Sequence, residues 1–546
     1  MGRRKKIDIF FFFLFLVISI FLSWSLFSHG FFHTHDGDFF VIRLFEFDKA
    51  LKSGHFPPRW AGGLNYGYGV PLFNFFYPGS LYLAELFHLA GFPLTTSLKI
   101  VLFLSFPLSA FGMYLFGKKV WGTFGGFISA LFYLIVPYRF LDVYVRGQIG
   151  EIVCLTFAPF VFWSLLVLSE KFDKKMFIFG SLSLVILLIS HNILAFIFVP
   201  VIFLYSLFLL LTTRNKNLIK IFFLFFLISF CLSAFFFIPA LLEARYVKLG
   251  QAVVVNFREH FPSFFQLLYS PWGYGYSEPG LKDGMSFQLG IAHQIGFLLV
   301  LFLLFWQILR FGFSRDLKNF HLLFFLALTL FSVFLTLKIS LFFWEIVPLL
   351  SQVQFPWRFN SLTIFSLSFL AGSLIEGRKK YFLIILIPLL FLNCRNYLRP
   401  GFFERYDDSY YLKNKSLALG TTLIADEVLP VWVEERPQSS PSATIEFISG
   451  RGEFLLLEEK PAYLKSRIKV EDEAAVRVNK TFYPGWEVYL GGEEVPFRIG
   501  KPFGFIQVEI PRGEHVLEVR LTKTPIQSFS DLLFLLGLLL AVLVIK

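Results

Sequence analysis

Residues 3–38 read RRKKIDIFFFFLFLVISIFLSWSLFSHGFFHTHDGD, and this stretch decides the fold. The apolar run from Ile7 to Phe27 is long enough to cross a bilayer as a helix, and four basic residues precede it. Because Lys and Arg stay on the cytoplasmic side, this first helix is predicted to run outward. Asp36 and Asp38 therefore emerge at the outer membrane face, where paired carboxylates suit proton abstraction or cation binding.

The composition of the whole chain indicates a membrane protein. Apolar residues make up 56% of the 546 residues, charged residues only 16%, and 78 residues are Phe. A bundle of membrane-spanning helices satisfies so much apolar backbone, whereas a soluble protein of this length normally carries more charge. The formal net charge of +12 sits largely in short loops, where it orients helices and meets anionic lipid, so no nucleic-acid partner is expected. The three cysteines show neither a disulfide pattern nor a metal-ligand spacing.

Thirteen apolar runs follow one another along the chain, and the charges between them indicate which ones span. If all of them spanned, Lys118 and Lys119 would fall outside and every later loop would be inverted. With segment 71–90 excluded, the basic loops all become cytoplasmic: 118–119, 171–175, 214–220, 310–318 and 378–380. Prolines interrupt 71–90, so we interpret it as juxtamembrane helices on the outer face, with an ordinary kinked span as the alternative. The predicted fold is a polytopic α-helical membrane protein with about twelve spans and both termini inside.

A second fold class is predicted near the C terminus. From about Thr444 to Thr524 the hydrophobic period changes from helical to alternating, with hairpin turns at 491–492 and 511–514. We predict an extracytoplasmic β-sandwich-like domain that is tethered by spanning helices on both sides. The expected domains are 1–397, transmembrane and helical; 398–525, extracytoplasmic and mainly β; and 526–546, the final transmembrane helix.

Asp36 and Asp38 are the candidate catalytic residues. One of them would accept the proton of an incoming hydroxyl, or the pair would hold a divalent cation against a phosphate. His35 is a further candidate metal ligand. The alternative is a solvated loop that caps a helix end. The sequence leaves the need for a metal open and indicates no other cofactor.

Arginines beside tryptophans in the predicted outer loops are candidate substrate-binding residues. Arg59 and Trp60 lie in a glycine-rich aromatic stretch, and Trp357 and Arg358 repeat the pair further along the chain. An Arg pairs with phosphate oxygens, and an aromatic face stacks on the apolar face of a sugar. The alternative is an interfacial loop whose aromatic residues anchor to lipid headgroups.

Arg139, Arg146 and Glu151 flank a predicted outer turn and complete the candidate substrate-binding set. Both arginines lie against the positive-inside bias, so the phosphate of a lipid is their predicted partner. Glu151 begins the next helix, where its alternative role is to interact favourably with the helix dipole.

A series of motifs resembles the bacterial YfhO-like membrane proteins, which are also labelled pyruvoyl-tetrahydropterin-synthase-related. The motifs are HDGD (35–38), FPPRW (56–60), GYGVP (67–71), RGQIGE (146–151), FPWRF (355–359), YPGW (483–486) and PRGEHV (511–516). Such proteins are similar to the GT-C glycosyltransferases, which use a polyprenyl-phosphate sugar donor and an acidic motif in the first outer loop. The resemblance implies that Asp36 or Asp38 is the catalytic base, and that two juxtamembrane helices lie between the first two spans.

The leading hypothesis is a glycosyltransferase of a bacterial-type cytoplasmic membrane, with its active site on the outer face. It would move a sugar from a polyprenyl-phosphate donor to an envelope polymer or lipid, with membrane lipids as further partners. A lipid or polysaccharide transporter, or a flippase, would need polar residues along a path across the bilayer, and the spans are nearly all apolar. In a non-catalytic envelope assembly protein, with the β-domain as a binding module, the Asp pair would be dispensable.

Overall fold

The computed structural model describes residues 3–250, 255–312, 314, 316–375, 381–402, 404–414 and 427–546. The α-helices are α1 (Arg3–Leu22), α2 (Gly37–Lys52), α3 (Leu72–Phe75), α4 (Gly79–Leu89), α5 (Leu94–Leu134), α6 (Pro137–Leu141), α7 (Ile149–Glu170), α8 (Lys174–Ser190), α9 (Asn192–Thr213), α10 (Asn217–Leu242), α11 (Phe264–Leu268), α12 (Ile291–Phe311), α13 (Leu317–Thr336), α14 (Leu341–Ile346), α15 (Asn360–Ala371), α16 (Leu383–Cys394), α17 (Asp408–Lys413) and α18 (Pro525–Ile545). The predicted basic loop at 378–380 lies outside the described residues.

The described residues contain eight helical segments that are long and apolar enough to cross a membrane, by length and composition: 94–134, 149–170, 192–213, 217–242, 291–310, 317–336, 356–375 and 525–545. The first of them holds two predicted spans, because the chain reverses at Gly122, where φ is 80°. A Cβ added at Gly126 would lie 2.5 Å from the Tyr114 carbonyl oxygen, so the two arms pack closely together. Helices α1, α8 and α16 coincide in sequence with the three remaining predicted spans. How many of these helices cross a membrane stays a prediction.

Segment 71–90 does not form one continuous helix. Helix α3 has 4 residues and α4 has 11. At about 1.5 Å per residue α4 is ~16 Å long, roughly half of a ~30 Å hydrocarbon core. Pro71 precedes α3 and Pro78 precedes α4, as expected for a residue that lacks an N–H donor and fixes φ. These two short helices agree with the exclusion of 71–90 as a span.

The basic loops and the β-strands lie at opposite ends of the helices. At one end Lys118 pairs with Asp8, and Lys119 Nζ lies 2.5 Å from Glu170 Oε2. Lys174 Nζ donates there to the Ile545 carbonyl at 3.1 Å, so the C-terminal end of α18 belongs to the same end. The chain passes from the last β-strand, Gly513–Leu521, into the opposite end of α18 at Pro525, and we call this the sheet end. This segregation agrees with the predicted charge asymmetry, while the side of the membrane stays a prediction.

Two antiparallel sheets form the C-terminal β-region. The strands of the described chain are β1 (Phe31–Phe32), β2 (Arg405–Tyr406), β3 (Ile445–Ser449), β4 (Gly452–Lys460), β5 (Tyr463–Val470), β6 (Ala474–Thr481), β7 (Trp486–Leu490), β8 (Glu493–Glu494), β9 (Arg498–Gly500), β10 (Phe505–Ile510) and β11 (Gly513–Leu521). One sheet has the order β3-β6-β10-β9 and the other β4-β5-β11-β7-β8. Leu464 and Val519 of the five-stranded sheet, and Val476 and Val508 of the four-stranded sheet, are all buried. The structure thus confirms the β-region that the alternation in the sequence predicts, with buried apolar residues in both sheets.

The turn between β7 and β8 is the hairpin turn that the sequence predicts at 491–492. Gly491 and Gly492 connect Leu490 to its partner Glu493, with φ of 62° and 94°. A two-residue hairpin turn of this kind needs positive φ at both central positions, which glycine adopts without steric cost.

Residues 404–414 pack on the helical bundle instead of on the sheets, and we call them the strap. Strand β2 of the strap pairs with β1, with Phe31 opposite Tyr406. Asp408 of the strap accepts hydrogen bonds from the Leu94 and Thr95 backbone amides at the start of α5, at 2.7 and 3.0 Å. The predicted β-domain of 398–525 therefore includes a segment that the helical bundle holds, and the strands of the two larger sheets begin only at 445.

Candidate functional site

The HTHDGD stretch lies at the sheet end, between β1 and the start of α2. Its backbone is tied to the turn that follows α6: the His35 amide donates to the Val145 carbonyl at 3.1 Å, and the Asp36 amide to the Arg146 carbonyl at 2.9 Å. Two glycines permit this approach. A Cβ at Gly37 or Gly147 would lie 2.3 or 2.1 Å from Thr34 Oγ1. The glycines of the HDGD and RGQIGE motifs therefore allow the backbones of these two motifs to pack closely against each other.

Asp38 is held on both carboxylate oxygens. Tyr411 of the strap donates its hydroxyl to Oδ1 at 3.0 Å, and His33 Nδ1 makes a short contact with Oδ2. The hydrogen bond that the His33 ring donates to Asp38 raises the pKa of His33, and the Asp38 side chain is 15% exposed. This arrangement is a carboxylate–imidazole pair whose His33 ring reaches solvent.

Asp36 has a different environment, because only one of its oxygens is held. Gln148 Nε2 makes a short hydrogen bond to Asp36 Oδ2, and the Gln148 amide oxygen accepts from the Tyr77 hydroxyl at 3.2 Å. Among the described residues no hydrogen bond reaches Asp36 Oδ1. Arg43 and Glu427 lie close enough for electrostatic interaction with Asp36, and burial followed by the Asp36 charge raises the pKa of Glu427. Asp36 is thus oriented, partly exposed and open on one oxygen.

His35 faces a loop from the middle of the chain. Its ring stacks on Tyr276 at 4.1 Å between centroids, and Nε2 lies 3.2 Å from the Tyr274 carbonyl oxygen. Burial lowers the pKa of His35, which favours the neutral ring. Within the described part of the chain no three His, Cys, Asp or Glu side chains converge as metal ligands. The predicted use of His35 with Asp36 and Asp38 as a metal site therefore gains no support from this geometry.

Arg146 and Glu151 form the centre of a buried ion-pair cluster. Arg146 Nη1 and Nη2 each donate to a Glu151 oxygen at 2.7 Å, and Nη1 donates to Asp142 at 2.5 Å. The guanidinium also lies over the Trp357 ring, 4.7 Å from its centroid. Arg358 Nε approaches Glu151 Oε1 at 3.6 Å. The cluster brings four predicted substrate-binding residues together, but Arg146 already has carboxylate partners, so a lipid phosphate is not needed to explain an arginine at this turn.

Arg139 is also buried, in a different setting. It has no exposed surface, its Nε donates to the Tyr133 carbonyl at 3.4 Å, and its guanidinium lies over the Phe106 and Tyr133 rings. Among the described residues no partner reaches either Nη atom. The structure thus encloses Arg139 in protein, and its predicted contact with a lipid phosphate stays a prediction.

Arg59 and Trp60 lie at a second place, where the bundle meets the β-region. Trp60 is fully buried and packs edge-to-face on Trp486, with centroids 5.5 Å apart. Arg59 Nη1 donates to Asn74 at 2.9 Å, and Nη2 lies 3.3 Å from Asp531. Both the indole and the guanidinium are thus used in packing one part of the protein on another, and the predicted stacking of Trp60 on a sugar stays a prediction.

Sequence reasoning missed several residues that surround the aspartates. Gln148 lies inside the quoted RGQIGE motif, but neither charge nor spacing indicated that its amide reaches Asp36. Tyr411 is 373 residues from Asp38, and no local pattern signals such a contact. Arg43 lies on α2 two turns after the aspartates, where a helical projection could have found it.

Comparisons with known proteins show a similarity to solved structures of low sequence identity. No family model matches the chain, and no curated protein matches it. Among solved structures, an oligosaccharyltransferase of Archaeoglobus fulgidus in complex with zinc and sulfate is similar at 17% identity, over 71% of this chain and 52% of that one, with a TM-score of 0.37. The oligosaccharyltransferase AglB of the same organism, with an inhibitory peptide and a dolichol-phosphate, is similar at 13% identity, over 81% and 57%, with a TM-score of 0.38.

This chain spans little more than half the length of either solved structure, 52% and 57%. Both are oligosaccharyltransferases, and at these TM-scores the likeness carries no argument about the activity of this chain. The resemblance to YfhO-like proteins stays a prediction.

Proposed function

We propose that the protein is a membrane glycosyltransferase that moves a sugar from a polyprenyl-phosphate donor to an envelope polymer or lipid. The observation that carries the proposal is the contrast between the two aspartates. Asp36 is oriented through one oxygen and open on the other, whereas both oxygens of Asp38 are occupied. A general base needs a carboxylate oxygen that an incoming hydroxyl can reach. Asp36 meets that requirement, and it lies between β1 and α2, after the first apolar helix.

In the proposed reaction the acceptor hydroxyl attacks the anomeric carbon of the donor sugar. Its proton passes to Asp36, a bond forms between the acceptor oxygen and the anomeric carbon, and the bond from that carbon to the phosphate oxygen breaks. The polyprenyl phosphate leaves with the bonding electrons. Attack from the side opposite the leaving group would invert the anomeric centre. The enzyme contributes orientation and charge stabilisation.

Asp38 and His33 are proposed to stabilise the leaving phosphate. The His33 ring is exposed, and its Asp38 partner favours the protonated form. A protonated imidazole on the same HTHDGD stretch as the base would supply a positive charge to the departing phosphate. Asp38 acts in this scheme as a positioning residue that holds His33 and anchors the strap through Tyr411.

The experiment compares Asp36→Asn, Asp38→Asn and the exposed β-region control Asp472→Asn. Membranes that contain each variant receive a panel of labelled polyprenyl-phosphate monosaccharides, and label in envelope polymer or lipid is counted. Asp36→Asn is expected to lower transfer by about 100-fold or more, the lower end of what a general base contributes. Asp38→Asn is expected to lower transfer less, and Asp472→Asn not at all.

Size-exclusion profiles of the detergent-extracted variants separate loss of catalysis from loss of folding. Wild-type transfer by folded Asp36→Asn would remove Asp36 as the base. If the double Asn variant also transferred sugar at the wild-type rate, the motif would not be catalytic. Transfer by none of the proteins, wild type included, together with an envelope defect on deletion, would favour the assembly hypothesis.

A further inference from the structure

A cavity of about 570 Å³ lies at the sheet end, outside the contacts of Asp36 and Asp38. It is bounded by the residues after α1, by the first turns of α5 and by the strap. Its lining includes Phe27, Ser28, Thr96, Lys99 and Phe103. The cavity is thus lined by both polar and aromatic side chains, and its walls belong to segments whose apolar helices are predicted to meet the bilayer.

Lys99 is the unusual residue of this cavity. Its side chain is 6% exposed, and Nζ donates to the Ser28 carbonyl at 2.5 Å. No described carboxylate forms an ion pair with it, and the charged group that acts on it is another cation, Arg405. Arg405 likewise forms no ion pair among the described residues, and its buried Nη1 has no hydrogen-bond partner there. Two neighbouring cations without a counter-charge are costly unless an anion joins them.

The acidic residues of the cavity are committed to other groups. Both oxygens of Asp408 accept hydrogen bonds at the start of α5, from Leu94 and Thr95. Asp407 accepts from the Ser409 hydroxyl at 2.8 Å and from the Tyr410 amide at 3.1 Å. Each carboxylate stabilises a helix N-terminus, where a negative charge is favoured. Neither of them balances Lys99.

One wall of the cavity is apolar and continues onto exposed surface. Phe27 is 53% exposed and packs on Phe103 at 5.1 Å between centroids, and Trp24, which is 70% exposed, packs on Phe27. Exposed aromatic side chains at the end of an apolar helix are typical of the membrane interface. A ligand with a negative head and an apolar tail would match both Lys99 and this wall.

We propose that the cavity binds the phosphate of a membrane lipid, with Lys99 facing the phosphate and the lipid chain running along Phe27 and Phe103. Arg405 does not line the cavity, and it adds positive charge near Lys99. Two sources carry this chemistry, an anionic phospholipid and a polyprenyl phosphate. The site does not depend on the proposed glycosyltransferase activity. The strap separates it from the aspartates: Asp408 lines the cavity, while Tyr411 of the same helix contacts Asp38. Occupancy would therefore hold the strap against the HTHDGD stretch.

The experiment measures thermal stabilisation of the detergent-purified protein by added lipid. The probes are dioctanoyl phosphatidylglycerol, a short-chain polyprenyl phosphate, dioctanoylglycerol and inorganic phosphate. Both phosphate lipids, or one of them, should raise the Tm saturably, whereas dioctanoylglycerol and inorganic phosphate should bind at least tenfold more weakly. Lys99→Gln should weaken lipid binding at least tenfold, and the exposed Lys338→Gln, a matched control, should leave it unchanged.

Two further variants protect the test against misfolding of Lys99→Gln. Arg405→Gln should weaken binding without disturbing the Lys99–Ser28 contact, and Thr96→Trp should fill the cavity without changing its charge. If phosphatidylglycerol alone binds, the occupant is a phospholipid; if the polyprenyl phosphate alone binds, it is a carrier lipid. Equal stabilisation by dioctanoylglycerol, or wild-type affinity in folded Lys99→Gln and Thr96→Trp, would overturn the proposal.

Discussion

At the scale of single residues, burial distinguishes structural arginines from candidate catalytic groups. Arg139 and Arg146 lie against the positive-inside bias, Arg59 lies beside a tryptophan, and all three are enclosed by protein. Sequence alone locates such arginines but does not show their partners, because Glu151 and Asn74 are brought to them only by folding. Asp36 and Asp38 differ, since their place directly after an apolar helix already predicts a position at its end.

Arg146 supplies the first prediction at this scale. Its 5% exposed side chain is paired with Asp142 and Glu151, so Arg146→Ala would leave two buried carboxylates without their shared cation. Removing one partner of a buried ion pair costs about 3–5 kcal/mol, and we expect a large fall in Tm or in the folded yield. Arg146→Lys should recover only part of the stability, because Lys lacks the bidentate geometry.

The control is Arg512→Ala in the turn before β11, which should leave the Tm unchanged. The measurement is thermal unfolding of the purified variants, followed by size exclusion. A folded Arg146→Ala protein with wild-type Tm and impaired use of a phosphate donor would instead restore the phosphate-binding role.

At the scale of elements, α2 and α4 pack through a pair of acidic residues. Glu85 of α4 is 2% exposed, and among the described residues neither of its oxygens has a hydrogen-bond partner. Asp48 of α2 is its acidic neighbour and is itself paired with Lys52 at 2.8 Å. Burial, followed by the Asp48 charge, raises the pKa of Glu85 from the ordinary 4.5 to about 8. The contact between the two helices thus favours a protonated Glu85.

This pair predicts a pH-dependent stability. Between pH 4.5 and 8 the folded protein keeps a proton on Glu85 that the unfolded chain has released, so the stability contributed by this group falls as the pH rises. Glu85→Gln cannot titrate and should therefore lose less stability than the wild type between pH 5 and 8.5. Asp48→Asn removes the neighbouring charge and should flatten the profile in the same direction. Thermal unfolding across this pH range tests it, and identical wild-type and Glu85→Gln profiles would contradict it.

Elements were easier to predict from the sequence than their contacts. The apolar runs, the prolines of 71–90 and the Gly491-Gly492 turn act locally, through hydrogen bonding and allowed φ, and the structure has the corresponding helices, breaks and turn. Trp60 shows where local reasoning ends. The sequence predicts that its ring stacks on a sugar, whereas in the structure the ring packs on Trp486, which lies far along the chain. Long-range pairing of this kind leaves no mark on local sequence.

At the scale of the whole molecule, Glu243 joins the helical bundle to the β-region. This fully buried carboxylate follows α10 and accepts hydrogen bonds from Asn74 at 2.7 Å, from Tyr483 at 2.7 Å and from Gln527 at 3.0 Å; the Thr524 hydroxyl makes a further short contact. Its donors come from the 71–90 segment, the β-region and the start of α18. A charged acceptor shared by several donors fixes their relative positions, because leaving any of them unpaired in a buried site is costly.

The orientation of the molecule follows from the same arrangement and gives the last prediction. The basic loops and the β-region lie at opposite ends of the helical bundle. A single labelling experiment therefore shows on which side of the membrane each of them lies. We expect Asn215→Cys, in the exposed basic loop after α9, to resist an impermeant thiol reagent in intact cells, and Asp472→Cys, in an exposed turn of the β-region, to react. The physical reason is that Arg214, Lys216 and Lys220 stay on the cytoplasmic side, whereas an odd number of earlier spans would place them outside. The three native cysteines are buried and are replaced by Ser in the background chain, and labelling after detergent lysis shows that both introduced thiols are reactive. Reaction at 215 with protection at 472 would mean that 71–90, or another segment, crosses the membrane, and the aspartates and the strap would then have to be assigned afresh to a side.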